Sequence, residues 1–141
     1  MSTSQLKNVM VAVDGSTNSL RAGKLAVNLA KKTGSRLIVV SVIATPPYAI
    51  AGSRYFMTER KRTERWVGQI LNLARSGDVR ASPQILQSVS VVKSLLECAA
   101  SKNVDLIVIG SRGLGTFKRL TIGSVSSALV NHSRCSVLVV R

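Results

Sequence analysis

Asp105-Leu106-Ile107-Val108-Ile109-Gly110-Ser111-Arg112-Gly113-Leu114-Gly115 is the stretch on which the fold turns. Leu106 to Ile109 leave no polar position for a water-facing side, so the segment reads as a strand buried on both faces, as in a parallel sheet. A glycine-rich turn follows at once, where the backbone can take unusual angles and approach a ligand. The same succession of apolar run, turn and amphipathic segment recurs along the chain. Val9–Val13 is an apolar run closed by Asp14-Gly15-Ser16. Residues 17–32 then read as a helix, with Arg21, Lys24, Asn28, Lys31 and Lys32 on one wet stripe and Leu20, Val27 and Ala30 opposite. Gly34 is the expected stop. Leu37–Ile43 is a second buried run, rich in β-branched residues.

Thr45-Pro46-Pro47 breaks that run, and residues 57–76 read as a helix with Trp66, Ile70, Leu73 and Ala74 as its apolar positions. A weaker strand is expected around residues 80–87, weaker because it contains Pro83. Val91–Lys102 is helical, Gly123–His132 is a short helix, and Ser136–Val140 is a last strand. Five strands alternating with four helices predict a single α/β domain over residues 1–141: an open parallel five-stranded sheet flanked by helices, Rossmann-like. Ligands of such sheets bind beyond the carboxyl ends of the strands, where the winding reverses. If the loops after the first and fourth strands serve one site, those strands are neighbours, which matches the order 3-2-1-4-5.

Composition bounds the function. The 141 residues carry 20 Lys and Arg against 6 Asp and Glu, a formal charge of +14. The stretches 1–35, 36–80 and 81–141 carry +4, +5 and +5, so no tail concentrates the charge, and attraction to any polyanion follows. The two cysteines, Cys98 and Cys135, make neither a metal-ligand spacing nor a disulfide framework. No apolar run reaches the roughly 18 residues of a membrane helix, and the N-terminus lacks a secretory pattern. A cytoplasmic protein without a membrane partner is expected. One histidine, His132, and six carboxylates give general acid–base chemistry little to work with.

Two loops carry chemistry. Asp14-Gly15-Ser16 follows the first strand; Asp14 there is either a ligand group or simply a helix cap. Gly110-Ser111-Arg112-Gly113-Leu114-Gly115 follows the fourth, with Gly123-Ser124 opening a helix beyond it. Successive N–H groups in such a loop, and the positive end of a helix, favour phosphate. Gly110 and Gly115 have Walker A separation, but Thr116-Phe117 stand where Lys and then Ser or Thr belong, and the glycine order also fails the dinucleotide fingerprint.

Val11-Ala12-Val13-Asp14-Gly15-Ser16, Asp105–Gly110, and the spacing Gly110-x2-Gly113-x9-Gly123-Ser124 together resemble the universal stress protein family, along nearly the whole chain. The long glycine motif resembles that of the ATP-binding branch. The resemblance implies a regulatory stress-response protein that holds ATP, with Mg or Mn on its phosphates. It implies that Asp14 and the backbone at Val42 hold adenine, with Ala12, Val13 and Ile109 beside it. Gly110, Arg112 and Gly113 would approach the ribose and phosphates, and Gly123, Ser124, Val125 and Ser126 the phosphate tail. It also implies a homodimer paired through Val137–Val140. Where the family often has a glycine after the third strand, this chain has Gln87-Ser88-Val89-Ser90, and Ser136 stands where proline is common.

Two other readings compete. Between residues 48 and 66, Tyr48, Tyr55, Phe56 and Trp66 alternate with Arg54, Arg60, Lys61, Arg62 and Arg65, a composition that suits stacking on single-stranded nucleic acid. Slow ATP hydrolysis or self-phosphorylation at Ser124 or Ser126 is the other, since phosphoryl transfer needs mainly positioning and a metal ion.

Overall fold

A computed structural model describes residues 5–46, 54–112 and 123–141. The strands are β1 (Asn8–Ala12), β2 (Arg36–Ala44), β3 (Ala81–Ser88), β4 (Leu106–Gly110) and β5 (Ser136–Val140). The helices are α1 (Thr17–Thr33), α2 (Arg54–Ser76), α3 (Val91–Ser101) and α4 (Ser124–His132). All strand pairs are parallel and the sheet order is β3-β2-β1-β4-β5.

Burial explains the unbroken apolar runs. Val9, Val11, Val39 and Val108 face α1 and α2, against Ala22, Ala26, Val67 and Ile70. Their neighbours Met10, Ile38, Val40 and Ile107 face α3 and α4, against Leu95, Ala99 and Leu129. Each central strand is therefore coated on both sides, and polar alternation has no place in it.

The helix ends follow from local chemistry. The Ser16 hydroxyl accepts the Ser19 N–H at 3.1 Å and caps α1. Gly34, at φ +71°, closes α1 in the left-handed conformation and returns its N–H to Ala30. Ser90 caps α3 in the same way, through Lys93 N–H at 3.2 Å.

Strand β3 is an edge strand, which resolves the proline within it. The carbonyls of Arg80, just before β3, and of Ser88 accept from Leu37 of β2 and from Thr45 just past its end, so even-numbered residues of β3 bond inward. Pro83 is odd, and its missing N–H falls on the open edge, where no ladder bond is lost. The other elements differ from the sequence expectation at their ends only: α2 begins at Arg54 rather than residue 57, and Gly123 caps α4 instead of opening it.

Candidate functional site

The strands end unevenly, and that makes a cavity. Ala12, the last residue of β1, pairs with Val40 and with Ile109, but β2 continues to Ala44 and β4 to Gly110. Beyond Ala12 the chain turns through Asp14-Gly15-Ser16 into α1, leaving a gap between β2 and β4 at the switch point. A cavity of about 370 Å³ opens there on the side of α3 and α4.

Of the twelve residues singled out in the sequence, eleven line it: Ala12, Val13 and Asp14 from the first turn, and Val42 from β2. Ile109, Gly110 and Arg112 come from the end of β4, and Gly123, Ser124, Val125 and Ser126 from the start of α4. Gly113 lies outside the described residues, as does Tyr48. The wall holds four further residues that the sequence did not suggest: Val40, Ala44, Val91 and Leu95. Val40 and Ala44 flank Val42 at the two-residue period of a strand, and Val91 and Leu95 lie one helical turn apart, so periodicity carried the signal.

The walls divide by chemistry. One end is aliphatic, from Ala12, Val40, Val42, Val91, Leu95 and Ile109. Within it, β2 offers a backbone donor and acceptor. Even-numbered residues of β2 bond toward β1, as Arg36 N–H does to Lys7 O and Val40 O does to Val13 N–H at 2.9 Å. Val42 is next in that series and lies past the end of β1, so its N–H and C=O face the gap.

The other end is polar. Gly123 caps α4 without a side-chain hydrogen bond, at φ −67°. The first bond inside the helix is Ser127 N–H to Gly123 O at 2.9 Å, so the N–H groups of Ser124, Val125 and Ser126 have no partner within α4. Gly123 N–H donates to Ser111 O at 2.5 Å, and a Cβ at Gly123 would sit 3.2 Å from that oxygen. The Ser126 hydroxyl does not face a ligand: it is buried and donates to Ser111 O at 3.1 Å. Ser126 therefore fixes the helix end to the loop, whereas Ser124 is exposed.

The Asp14 turn is held from behind. Asp14 Oδ1 accepts Ser16 N–H at 2.9 Å, and Asp14 N–H donates to Ser19 Oγ at 3.2 Å. Gly15 has φ +87°, and a Cβ there would fall 2.6 Å from Trp66 Cε3, so the indole lies flat against the glycine. At β4, a Cβ on Gly110 would lie 3.0 Å from the Asn18 backbone, and Asn18 Nδ2 donates to Ser111 Oγ at 2.8 Å. These two glycines let α1 and α2 close on the site.

Other residues of interest lie elsewhere. Asp105 accepts the N–H groups of Lys7 and Asn8 at 2.9 and 2.8 Å and so ties β1 to β4 at the opposite end of the sheet. His132 is exposed in the last turn of α4. Burial pushes the Cys98 thiol above its ordinary pKa of 9.0, against a smaller lowering by Lys102. Among the described residues no three His, Cys, Asp or Glu side chains gather as metal ligands, and no helix is long and apolar enough to cross a membrane. Within the basic aromatic segment, Phe56 is buried and Trp66 packs on Gly15, leaving Tyr55 as its exposed ring among the described residues.

Sheet order, uneven strand ends and a glycine-capped helix start over a partly apolar cavity define a Rossmann-like α/β protein with its crevice at the switch point. The chain belongs to the universal stress protein family, whose family model matches residues 5–141. A Staphylococcus aureus (strain USA300) protein assigned by name to the universal stress proteins is 35% identical, over 96% of this chain and 84% of its own. The solved universal stress protein UspA of Lactobacillus plantarum superimposes with a TM-score of 0.89 at 23% identity, covering 99% of this chain and all (100%) of the other. A solved universal stress protein of Archaeoglobus fulgidus gives 0.73 at 20% identity, covering 96% and 98%.

Proposed function

We propose that residues 1–141 form an adenine-nucleotide-binding domain that holds ATP and acts by binding rather than by turnover. The observation that carries this reading is the pairing, in one cavity, of an aliphatic slot bearing the Val42 backbone donor and acceptor with the first N–H groups of α4, which have no partner among the described residues. A purine edge suits the first, and a phosphate chain suits the second. The Archaeoglobus fulgidus structure is of that protein in complex with dAMP, which supports an adenine nucleotide as the ligand class.

In this reading Asp14 and Val42 take the base between Ala12, Val13 and Ile109, and Gly110, Arg112 and Gly113 approach the ribose and phosphates. The backbone of Gly123, Ser124, Val125 and Ser126 receives the phosphate tail. The Ser126 hydroxyl is spent on Ser111, so Ser126 contributes its N–H alone. Mg or Mn would ride chiefly on phosphate oxygens and water, because Asp14 is the sole carboxylate on the cavity wall among the described residues. The role is regulatory: occupancy changes the surface that partners meet. β5 is an edge strand with Val137–Val140 partly exposed, which suits pairing of two copies through that edge in the cytoplasm.

Titrating nucleotide-stripped protein with ATP tests the reading. Saturable binding at one site per chain is expected; no binding at millimolar ATP with the fold intact would contradict it. A phosphate-release assay on Ser124→Ala separates binding from slow turnover, and unchanged negligible release is expected.

A further inference from the structure

The +14 charge is even along the chain but uneven in space. Helix α1 presents Arg21, Lys24, Lys31 and Lys32 to solvent and contains no acid. Helix α2, beside it on the same face of the sheet, presents Arg54, Arg60, Lys61, Arg62, Arg65 and Arg75, with Glu59 and Glu64 as its acids. The layer thus carries ten bases against two acids, net +8, while α3 and α4 on the other face carry Lys93 and Glu97, net zero with His132 neutral. Among the described residues, Arg62 alone of these ten is ion-paired, to Glu59 at 3.5 Å. The cavity opens on the side of α3 and α4, with Arg112 as the one base on its wall among the described residues, so it does not account for the ten bases of the other layer.

We propose that the α1–α2 layer is a docking face for the surface of an anionic lipid bilayer. Three observations select a bilayer among polyanions. Two of the rings that would stack on single-stranded bases are taken up inside the protein, Phe56 by burial and Trp66 by Gly15, which leaves Tyr55 as the one exposed ring of that segment among the described residues. Two adjacent helices of 17 and 23 residues, about 25 and 35 Å long, make a broad outward face. A plane can meet most of its cations at once, whereas a duplex meets it along a line. Finally, Met57 and Leu73 stand exposed among the bases, 61% and 41%, as does Tyr55. Apolar and aromatic side chains beside cations enter the headgroup region, and phosphate backbones offer them nothing. Docking this way leaves the cavity mouth open to solvent, and needs no spanning helix.

Co-sedimentation with vesicles tests the proposal on the whole chain. Binding is expected to phosphatidylcholine vesicles containing phosphatidylglycerol, with little to phosphatidylcholine alone, and release is expected as salt rises from about 0.1 to about 0.5 M. The triple variant Arg60→Gln, Lys61→Gln, Arg65→Gln replaces exposed helical positions with a good helix former. It should partition about 100-fold less, at about fivefold per base near the surface. Lys93→Gln with Lys102→Gln, on the far side, should bind as the unaltered chain does. Equal binding to neutral vesicles, or an unweakened triple variant with native circular dichroism, overturns the proposal. Retention of duplex DNA at about 0.15 M salt by protein that leaves the anionic vesicles unbound overturns it in favour of nucleic acid.

Discussion

Trp66 Nε1 donates to Ser41 Oγ at 3.1 Å, and that buried hydroxyl donates onward to Val13 O at 2.7 Å. A helix on one face of the sheet is thereby bonded to the backbone just before Asp14, at the lip of a cavity on the other face. The regular β2 ladder would direct Val42 N–H to Val13 O; Ser41 occupies that carbonyl instead.

Replacing Ser41 with Ala strips the buried Val13 carbonyl and the partly buried Trp66 indole N–H of their partner. A loss of about 1–3 kcal/mol in urea unfolding is expected, together with weaker ATP binding as Val13 and Asp14 lose their support. Trp66 is the single tryptophan of the chain, so its emission should change on ATP addition. Emission indifferent to saturating nucleotide would sever α2 from the site.

Gly15→Ala meets two obstacles, the left-handed φ of +87° and the Trp66 ring 2.6 Å from the new Cβ. Together these should cost about 2–4 kcal/mol. In a double-mutant cycle with Trp66→Ala, the steric share should vanish and the backbone share persist. Strict additivity would show that the indole does not press on the turn.

At the other end of the cavity, Gly123→Leu places a side chain 3.2 Å from Ser111 O and pushes the start of α4 off its seat. ATP affinity should fall at least tenfold, about 1.4 kcal/mol or more, while adenosine affinity changes little. Equal loss of both ligands would mean that α4 does not serve phosphate.

Cys98 gives a pH test. Burial raises its pKa in the folded state, so the unfolded chain releases the proton first as pH rises. Its contribution to stability is complete below the ordinary thiol value of 9.0 and is lost as pH climbs through the higher folded value. Urea midpoints should decline above about pH 9, and Cys98→Ala should flatten that decline. In the native protein, an alkylating reagent at pH 8 should modify Cys135 before the buried Cys98.

The fold was legible because Val9–Val13, Leu37–Ile43 and Leu106–Ile109 are coated on both faces, which leaves an apolar signature interrupted only at Ser41. β3 was blurred because an edge strand tolerates Pro83 and alternates weakly. The polar end of the site was legible because glycine at a helix start has a narrow set of uses. Part of its aliphatic wall was not: Val40, Ala44, Val91 and Leu95 look like any core residues until the uneven strand ends uncover them. Trp66 and Ser126 were legible as residues but not in their work. Trp66 reaches Gly15 across 51 positions, and Ser126 turns its hydroxyl to Ser111 rather than outward. Tertiary packing settles both.

A nucleotide site at the switch point is tested by isothermal titration of nucleotide-stripped protein with ATP. Saturation is expected at one site per chain below about 1 mM, with Trp66 emission tracking occupancy. Absence of any binding at millimolar ATP, in protein whose circular dichroism is native, would contradict it.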